Sequence, residues 1–247
     1  MKKALALGCM ILLAPSFASA QIHQVSSQNN AKNTVNFTVG WFFLKGLDSR
    51  VTDDVLFNEL MNPFEVNGQP QPLLFEIKDL NSVPFGGEYL LGFGSRFEAG
   101  VGLAYSQRTA HSVYKYLTHS NGAEVMQDLK LKQIPVTFTG RFLLLPRGSA
   151  VEPYVGAGLV AIRWKYSESG EFIDEFGTIY PGVYTADGTA VGPTVLFGAR
   201  FPFGPMVAGA EGKWQKAEGQ GLLAQGFPGD KIDLGGWTLN FTFGARF

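Results

Sequence analysis

The side chains best suited to chemistry in this sequence are arginines that recur in one short motif. The pentapeptide Phe-Gly-Ala-Arg-Phe occurs at residues 197–201 and again at 243–247, and looser copies surround two earlier arginines. The four arginines are Arg96, Arg141, Arg200 and Arg246. They recur at intervals of about 45 to 60 residues, which is typical of repeated supersecondary units. Arginine stays charged and forms paired hydrogen bonds with carboxylates, so the motif predicts either an internal ion-pair network or a site that attracts anions.

A second set of residues could support hydrolysis. A catalytic serine needs a histidine and an acid within hydrogen-bond reach, and the pairs His111-Ser112 and His119-Ser120 offer two of these three groups. The sequence has no Gly-x-Ser-x-Gly nucleophile elbow and no His-Glu-x-x-His zinc motif. We therefore predict no enzymatic activity, no cofactor and no metal site. A lipid-modifying enzyme nevertheless remains the least favoured of the possible functions.

The N-terminus predicts export. Two lysines precede an apolar stretch at residues 4–13, and Ala18-Ser19-Ala20 forms a small-x-small cleavage site, so residues 1–20 match a cleaved secretory signal peptide. The mature chain would begin with a short leader, residues 21–32. The single cysteine, Cys9, lies within the signal, which excludes disulfides and thiolate metal sites from the mature chain. No basic patch or tail is present, so we predict no nucleic-acid partner.

The elements that must position the charged residues are strands. Residues 237–247 alternate strictly between apolar residues and polar residues or glycine. Seven further segments alternate in a similar way: 34–44, 88–97, 99–108, 130–144, 153–166, 191–201 and 206–216. These segments are about 10–15 residues long, near or somewhat above the roughly 9–11 residues that a tilted membrane-spanning strand needs. The fold class predicted for residues 33–247 is therefore all-β, a single-domain, eight-stranded antiparallel up-and-down transmembrane β-barrel.

The connections between these strands alternate in length. The short ones are 97–98, 146–150 and 203–205, and the long ones are 45–85, 111–127, 167–190 and 217–232. Short periplasmic turns and long extracellular loops are typical of outer-membrane barrels. In the first long loop, Asp53 and Asp54 precede an apolar stretch and predict a short capped helix at residues 55–61. This loop could be a lid, a plug or a surface for an apolar ligand. The alternative that we favour is a small separate cluster on the barrel rim.

The alternation also predicts which way each side chain points. The outward set forms a lipid-facing aromatic girdle that contains Phe97, Phe142, Phe201, Trp237, Phe241, Phe243 and Phe247, with Trp41, Trp164 and Trp214 as further anchors. The inward set carries the charged residues Glu88, Arg96, Arg108, Arg141, Arg163, Lys165, Arg200, Glu211, Lys213 and Arg246, of which eight are basic. An eight-stranded barrel is just wide enough for side chains to fill. The interior is therefore either plugged by ion pairs or a narrow path that prefers anions.

The last strand carries a family resemblance. Its alternating aromatics and terminal Phe247 resemble the signal that outer-membrane barrels present to the barrel assembly machinery. With the glycine-rich segments 85–92 and 154–158, residues 33–247 resemble the small eight-stranded outer-membrane barrels of the OmpA/OmpX/OmpW type. The resemblance implies a monomer in the outer membrane of a Gram-negative bacterium, in contact with lipid and lipopolysaccharide, with a possible extracellular ligand on its loops. Because a fold does not fix a function, three functions stay open: a structural or surface-interaction barrel, a narrow small-solute or anion-preferring pore, and the enzyme.

Overall fold

The computed structural model describes residues 32–61, 65–66 and 68–247. The predicted signal peptide and all but the last residue of the predicted leader lie outside the described residues. Eight antiparallel strands form a closed ring in which the first strand pairs with the last. The predicted eight-stranded antiparallel up-and-down β-barrel is confirmed. None of the described helices is both long enough and apolar enough to cross a membrane.

Short accessory elements lie in the outer connections between the barrel strands. The strands of the described chain are β1 (Asn33–Leu44), β2 (Glu65–Val66), β3 (Gln69–Pro70), β4 (Leu73–Leu74), β5 (Phe85–Phe93), β6 (Phe97–Thr118), β7 (Glu124–Leu143), β8 (Glu152–Ile173), β9 (Ile179–Phe203), β10 (Met206–Gln215), β11 (Glu218–Gln220), β12 (Lys231–Asp233) and β13 (Gly236–Arg246). The ring runs β1, β5, β6, β7, β8, β9, β10, β13 and back to β1. The described helices are α1 (Val55–Met61) and the 3-10 turns Leu47–Ser49, Ile77–Leu80 and Leu223–Gln225.

Four neighbouring strands are much longer than the sequence predicted. β6, β7, β8 and β9 contain 22, 20, 22 and 25 residues, whereas a tilted strand crosses a bilayer with roughly 9–11. Their outer halves form two extended hairpins, so the segments 111–127 and 167–190, predicted as loops, belong largely to strands. That prediction was wrong because many outward side chains become polar there. In the sequence this change resembles the end of a strand, but here it marks only where the strands leave the apolar band.

The first short turn lies at residues 94–96 rather than at the predicted 97–98. Gly94 has a φ of 65°, in the left-handed region that glycine adopts without steric cost. Phe97 therefore begins β6 instead of ending the strand before it. Glu98 consequently becomes an inward residue of β6 and is buried. The other two short turns, at residues 144–151 and 204–205, overlap the predicted connections 146–150 and 203–205.

An exposed apolar band surrounds the barrel. Phe241 on β13 is 49% exposed, while its neighbours Asn240 and Thr242 are 6% and 7% exposed and point inward. The other exposed aromatic members of the band include Trp41, Phe97, Phe201, Trp237, Phe243 and Phe247. Phe142 is half-buried, because its ring packs against Phe97 with the centroids 5.2 Å apart. Trp214 is also half-buried. A belt of outward aromatics of this kind is a general property of transmembrane β-barrels.

Strand β8 faces the opposite way from the prediction. Its buried, inward side chains are Tyr154, Val160, Ile162, Trp164 and Tyr166. Trp164, predicted as a membrane anchor, is 1% exposed. Arg163 and Lys165, predicted to point inward, are exposed on the outer surface instead. The prediction failed because the outer half of the barrel interior is itself apolar, so alternation alone does not separate a core face from a lipid face.

The described part of the first long loop, residues 45–61, 65–66 and 68–84, fills the outer mouth of the barrel, and we call it the plug. The predicted capped helix is confirmed as α1, and Oδ1 of Asp54 accepts hydrogen bonds from the backbone N–H groups of Leu56 and Phe57 at 3.0 and 3.1 Å. Val55 and Leu56 are fully buried in the same apolar cluster as the inward side chains of β8. The favoured alternative of a separate cluster on the rim is therefore wrong, because the plug is continuous with the barrel core.

A buried ion pair fastens the plug to the last outer connection. Nη1 of Arg50 lies 2.7 Å from Oδ2 of Asp54, and both side chains are almost completely buried. Arg50 also donates from Nη2 to the carbonyl oxygen of Asp233 at 3.0 Å, and the backbone N–H of Asp233 donates to Oδ2 of Asp54 at 2.7 Å. These contacts join residues about 180 positions apart in sequence. The plug therefore closes the outer mouth as part of the folded core.

Candidate functional site: the barrel interior and an outer pocket

The inner half of the barrel, on the side of the short turns, is crossed by ion pairs. Arg141 donates from Nη2 to Oε1 of Glu88 at 2.6 Å and to Oε2 of Glu211 at 2.7 Å, and all three side chains are more than nine-tenths buried. Tyr154 donates its hydroxyl to Oε2 of Glu211 at 3.1 Å, and its ring centroid lies 4.8 Å from Cζ of Arg141. These contacts link β5, β7, β8 and β10 across the interior.

A second network joins two glutamates and three arginines next to the short turns. Arg200 donates from Nη2 to Oε1 of Glu98 at 2.9 Å and lies 3.3 Å from Oε2 of Glu152. Arg246 donates from Nη1 to Oε1 of Glu152 at 2.8 Å. Arg147 donates from Nη2 to the same Glu98 oxygen at 2.6 Å. All five side chains are at least nine-tenths buried. Buried charges are tolerated only when they are paired, so this network fills the inner half with paired side chains.

Arg147 reaches this network from a turn rather than from a strand. It lies in the connection between β7 and β8, and its guanidinium packs directly over Gly92 of β5. A Cβ at position 92 would collide with that guanidinium. The glycine therefore leaves the space through which a turn residue enters the interior.

The structure places six of the ten predicted inward charges inside the barrel. These six are Glu88, Arg141, Arg200, Glu211, Lys213 and Arg246, of which Lys213 is half-buried. Arg96 lies in an exposed turn. Arg108 is exposed and donates from Nε to the carbonyl oxygen of Asp79 at 3.0 Å, because the plug is its neighbour there. Arg163 and Lys165 lie on the outer face of β8, where Arg163 pairs with Asp187 at 2.5 Å. Predicting these four as inward was wrong.

Three interior charges were missed in the sequence. Glu98 was assigned to a turn, whereas Arg147 and Glu152 were assigned to the next connection and its edge. Oε1 of Glu152 also accepts a hydrogen bond from the backbone N–H of Gly148 at 2.7 Å. Glu98 could have been found, because it alternates correctly with the inward glycines of β6 once the turn is moved to Gly94. The inner half of the described interior thus holds four glutamates against four arginines and one lysine, and the predicted large excess of positive charge is absent.

A cavity of about 300 Å³ opens in the outer half, between the plug, the two extended hairpins and the last outer connection. We call it the outer pocket. Its aromatic walls are Tyr114, Phe172, Tyr180, Tyr184 and Phe227. The rings of Phe172 and Tyr184 meet edge to face with their centroids 4.8 Å apart, and the hydroxyl oxygens of Tyr180 and Tyr184 are 3.1 Å apart. Sequence analysis missed this pocket because its walls come from segments that are distant in the chain.

Two carboxyl groups and one amide complete the outer pocket: Glu59 of α1, Glu168 of β8 and Gln127 of β7. Glu168 accepts hydrogen bonds from the hydroxyl of Tyr166 at 2.7 Å and from Nε2 of Gln127 at 3.0 Å. Burial raises the pKa of Glu168 to about 7. Burial, together with the charge of Glu168, also raises the pKa of Glu59 well above its usual range. Both groups therefore hold protons more tightly than free carboxyls do.

The two serine and histidine pairs do not assemble a catalytic triad. On β6, His111 is exposed and its Nδ1 lies 2.6 Å from Oδ1 of Asp128, whereas Ser112 is buried and donates to the carbonyl oxygen of Gln127 at 2.7 Å. Nε2 of His119 lies 3.0 Å from Glu171, and hydrogen bonding to that histidine lowers the pKa of Glu171. Each histidine thus has an acid partner, and among the described residues neither forms a hydrogen bond with the adjacent serine. Among the described residues, no group of His, Asp and Glu side chains could hold a metal ion.

Comparison with known proteins is informative only at the level of structure. No protein-family model matches the chain, and no curated protein matches its sequence. The chain is similar to the outer membrane protein OprG of Pseudomonas aeruginosa, with a TM-score of 0.50 and 13% identity over 89% of this chain and 98% of that chain. This protein has the fold of a small outer-membrane β-barrel.

Two further outer-membrane barrels match over most of their length. The attachment invasion locus protein Ail of Yersinia pestis, solved with the heparin analogue sucrose octasulfate, shares 14% identity over 87% of this chain and 99% of that chain, with a TM-score of 0.39. The N-terminal barrel domain of Pseudomonas aeruginosa OprF shares 12% identity over 88% and 99%, with a TM-score of 0.38. At such identities a likeness establishes the fold alone. The function of this barrel must therefore be argued from its own interior and outer pocket.

Proposed function

We propose that this protein is an exported outer-membrane barrel with a closed interior, whose role is binding at its extracellular face. The observation that carries the proposal is the filling of the interior at two levels. The inner half is crossed by the paired networks around Glu98, Arg141 and Glu152, and the outer mouth is occupied by the plug. A barrel of eight strands leaves room for side chains rather than for a wide water column.

The exposed apolar band supports a location in the outer membrane. Outward side chains such as Phe37, Leu159 and Phe241 are about half exposed, and in water so large an apolar surface would favour aggregation. In a bilayer the same surface is covered by lipid. The short turns would then face the periplasm, and the extended hairpins would face outward toward lipopolysaccharide. A monomer suffices, because β1 pairs with β13 and the ring of strands is closed within the apolar band.

The composition of the interior argues against an anion path. The case for such a path rested on an excess of inward positive charge, but Arg96, Arg108, Arg163 and Lys165 are exposed and Glu98 and Glu152 add two acids. Beside Glu88, Glu211 and Lys213 there is a cavity of only about 30 Å³, which is close to the volume of one water molecule. A cavity of this size does not offer an ion a continuous hydrated route.

The extended hairpins support a binding role. They carry the strands well beyond the length that a bilayer requires, and they build the walls of the outer pocket together with the plug. A structural tether has no evident need for a cavity at this end. The observations therefore favour binding over a purely structural role. They give no support to enzyme chemistry, because neither histidine forms a hydrogen bond with its neighbouring serine among the described residues.

Conductance of the refolded protein in a planar bilayer tests the closed interior. Folding is first verified by the shift in gel mobility between unheated and heated samples, and a general porin in the same bilayers shows that openings are detectable. We expect no discrete openings from the folded barrel. A variant that lacks most of the plug, residues 47–80, should stay silent as well, because the inner networks close the barrel independently. Discrete openings with anion preference in the intact protein would overturn the proposal.

A further inference from the structure

The outer pocket presents oxygen acceptors that lack matching donors. Gln127 is 2% exposed and donates its amide N–H to Glu168, which leaves its Oε1 without a hydrogen-bond partner in the described structure. Glu168 is 4% exposed, and Glu59 lines the same cavity from the plug side. A buried acceptor without a donor is costly. Because that oxygen has almost no accessible surface, an occupant of the outer pocket would meet the carboxyls of Glu59 and Glu168 instead.

The two carboxyls of the outer pocket also lack a basic partner. In the inner half, Glu88, Glu98, Glu152 and Glu211 each meet an arginine. Within the described part of the chain, by contrast, no lysine or arginine forms an ion pair with Glu59 or Glu168. Two carboxyls that face one cavity repel each other when both are ionised. A cation in the cavity would relieve that repulsion.

The walls of the outer pocket suit a cation with an apolar body. Five aromatic side chains surround the cavity: Tyr114, Phe172, Tyr180, Tyr184 and Phe227. The faces of aromatic rings attract ammonium and guanidinium groups, and the remaining ring surface packs against apolar atoms. The volume of about 300 Å³ lies at the small end of the range for ligand pockets. The occupant is therefore small, with a body of about one ring or a short alkyl chain.

We propose that the outer pocket binds a small organic cation, a primary ammonium or guanidinium on an aromatic or alkyl body, with its charge and its N–H donors between the carboxyls of Glu59 and Glu168. This inference deepens the proposed binding role at the extracellular face by naming the class of ligand. A quaternary ammonium has no N–H for the carboxylate oxygens, a neutral analogue does not balance the charge of the carboxyls, and an anion is repelled by them. The primary ammonium or guanidinium should therefore bind most tightly of these four classes, and the anion least tightly.

The proposed binding depends on pH in a defined direction. The titratable groups that face the two carboxyls are Tyr114 of β6, Tyr166 of β8, and Tyr180 and Tyr184 of β9. Burial raises the pKa of the Tyr114 and Tyr166 hydroxyls, so these two stay neutral near pH 7. The carboxyls instead must lose protons when the cation enters, because the pKa of Glu168 is raised to about 7. Affinity should therefore increase between about pH 5 and about pH 8.

Titration calorimetry on the full refolded protein tests the proposal with phenethylammonium as the probe. Its neutral, quaternary and anionic counterparts are 2-phenylethanol, trimethyl(phenethyl)ammonium and 3-phenylpropionate. We expect the primary ammonium to bind at least about tenfold more tightly than the alcohol and the quaternary ion, because only it supplies both charge and N–H donors. The anion should not bind. Equal affinity for the ammonium and the alcohol, or no binding of the ammonium by folded protein at about pH 8, would overturn the inference.

Three charge-neutralising variants make the test specific. Glu59→Gln and Glu168→Gln should each weaken phenethylammonium binding about tenfold, since each removes one of the two charges that the cation contacts. Glu218→Gln removes an equal charge from an exposed position on β11 outside the outer pocket, and it should leave binding unchanged. Glu59 has no hydrogen bond to Tyr166 or Gln127 to lose, so its variant is informative even if Glu168→Gln disturbs the fold. Equal weakening by Glu218→Gln would instead indicate general surface attraction and would defeat the proposal.

Failure of this inference is distinguishable from failure of the proposed function. A barrel that neither conducts nor binds the ammonium would contradict the proposed ligand class and still support the closed interior. A conducting barrel that binds the ammonium would overturn the closed interior and leave the outer pocket as assigned.

Discussion

Nη2 of Arg200 lies 2.9 Å from Oε1 of Glu98, although the two residues are 102 positions apart in sequence. Both side chains are almost completely buried. The same carboxylate oxygen accepts a hydrogen bond from Arg147, so one glutamate joins β6, β9 and the turn between β7 and β8. Neutralising this carboxylate would leave two buried guanidinium groups short of a partner. The stability of the inner half therefore depends strongly on Glu98.

The first prediction concerns the substitution Glu98→Gln. Removing one partner of a buried ion pair typically costs about 3–5 kcal/mol, and we expect a loss of that size in the free energy of unfolding. The measurement is urea-induced unfolding of the protein folded in lipid vesicles, followed by tryptophan fluorescence. The matched control is Glu124→Gln, which removes the same charge from an exposed position at the start of β7. Similar stabilities for the two variants would contradict a structural role for the network.

The second prediction locates the boundary of the membrane on β8 and β9. Leu159 lies on the outward face of β8, opposite Phe138 in the apolar band, whereas Val183 lies opposite Ser169 on the outer half of β9. Leu159→Arg should cost about 2–4 kcal/mol if the residue lies near the midplane, because arginine is poorly tolerated there on a lipid-facing strand. Val183→Arg should change stability by less than about 0.5 kcal/mol, since that site faces water. Vesicle unfolding curves measure both, and equal costs would contradict the proposed membrane position.

The third prediction separates two tryptophans that alternation alone treats alike. Trp237 is 50% exposed in the apolar band, whereas Trp164 is buried in the core. Brominated lipids quench a tryptophan only at close range, so Trp237→Phe should reduce the quenched fraction of the fluorescence and Trp164→Phe should increase it. Fluorescence of the two variants in vesicles of brominated and ordinary phosphatidylcholine is the measurement. An unchanged quenched fraction after removal of Trp237 would mean that this face of β13 does not meet lipid.

The sequence was sufficient for the ring of strands and for the facing of β13, and the reason is physical. Phe241 and its outward neighbours alternate with Thr238, Asn240 and Thr242, so the two faces of this strand differ sharply in polarity. On β8 both faces are apolar over much of their length, because Trp164 and Tyr166 pack into the core while Leu159 faces outward. Hydrophobic periodicity identifies such a strand but not its direction.

The interior network and the outer pocket were not predictable for a different reason. Both depend on contacts between distant segments, as in the pairing of Arg200 with Glu98 and the approach of Glu59 to Glu168. A period-2 pattern carries no information on which strands meet across a barrel. Arg147 adds a further obstacle, because a turn residue that folds back into the interior has no periodicity. Charge pairing across a barrel therefore has to be read from the structure.

The last prediction concerns the pH dependence of the plug. Burial raises the pKa of Glu168 to about 7 and that of Glu59 well above its usual range, whereas an unfolded glutamate has a pKa of about 4.3. A carboxyl with a raised folded-state pKa contributes stability that is fully present below the unfolded pKa and is lost as the pH rises through the folded pKa. The plug should therefore open more readily at about pH 8 than at about pH 5.

Hydrogen exchange at the backbone amides of α1, corrected for the intrinsic rates at each pH, measures this opening. Protection of Val55–Met61 should fall as the pH rises toward about 7, over the range in which Glu168 is ionised in the opened form and still largely protonated in the folded form. Glu168→Gln should weaken this pH dependence, and Glu175→Gln, which alters an exposed carboxyl at the tip of the β8–β9 hairpin, should preserve it. Protection that increases with pH would show that the two carboxyls are stabilised as anions, which would require a cation already held between them.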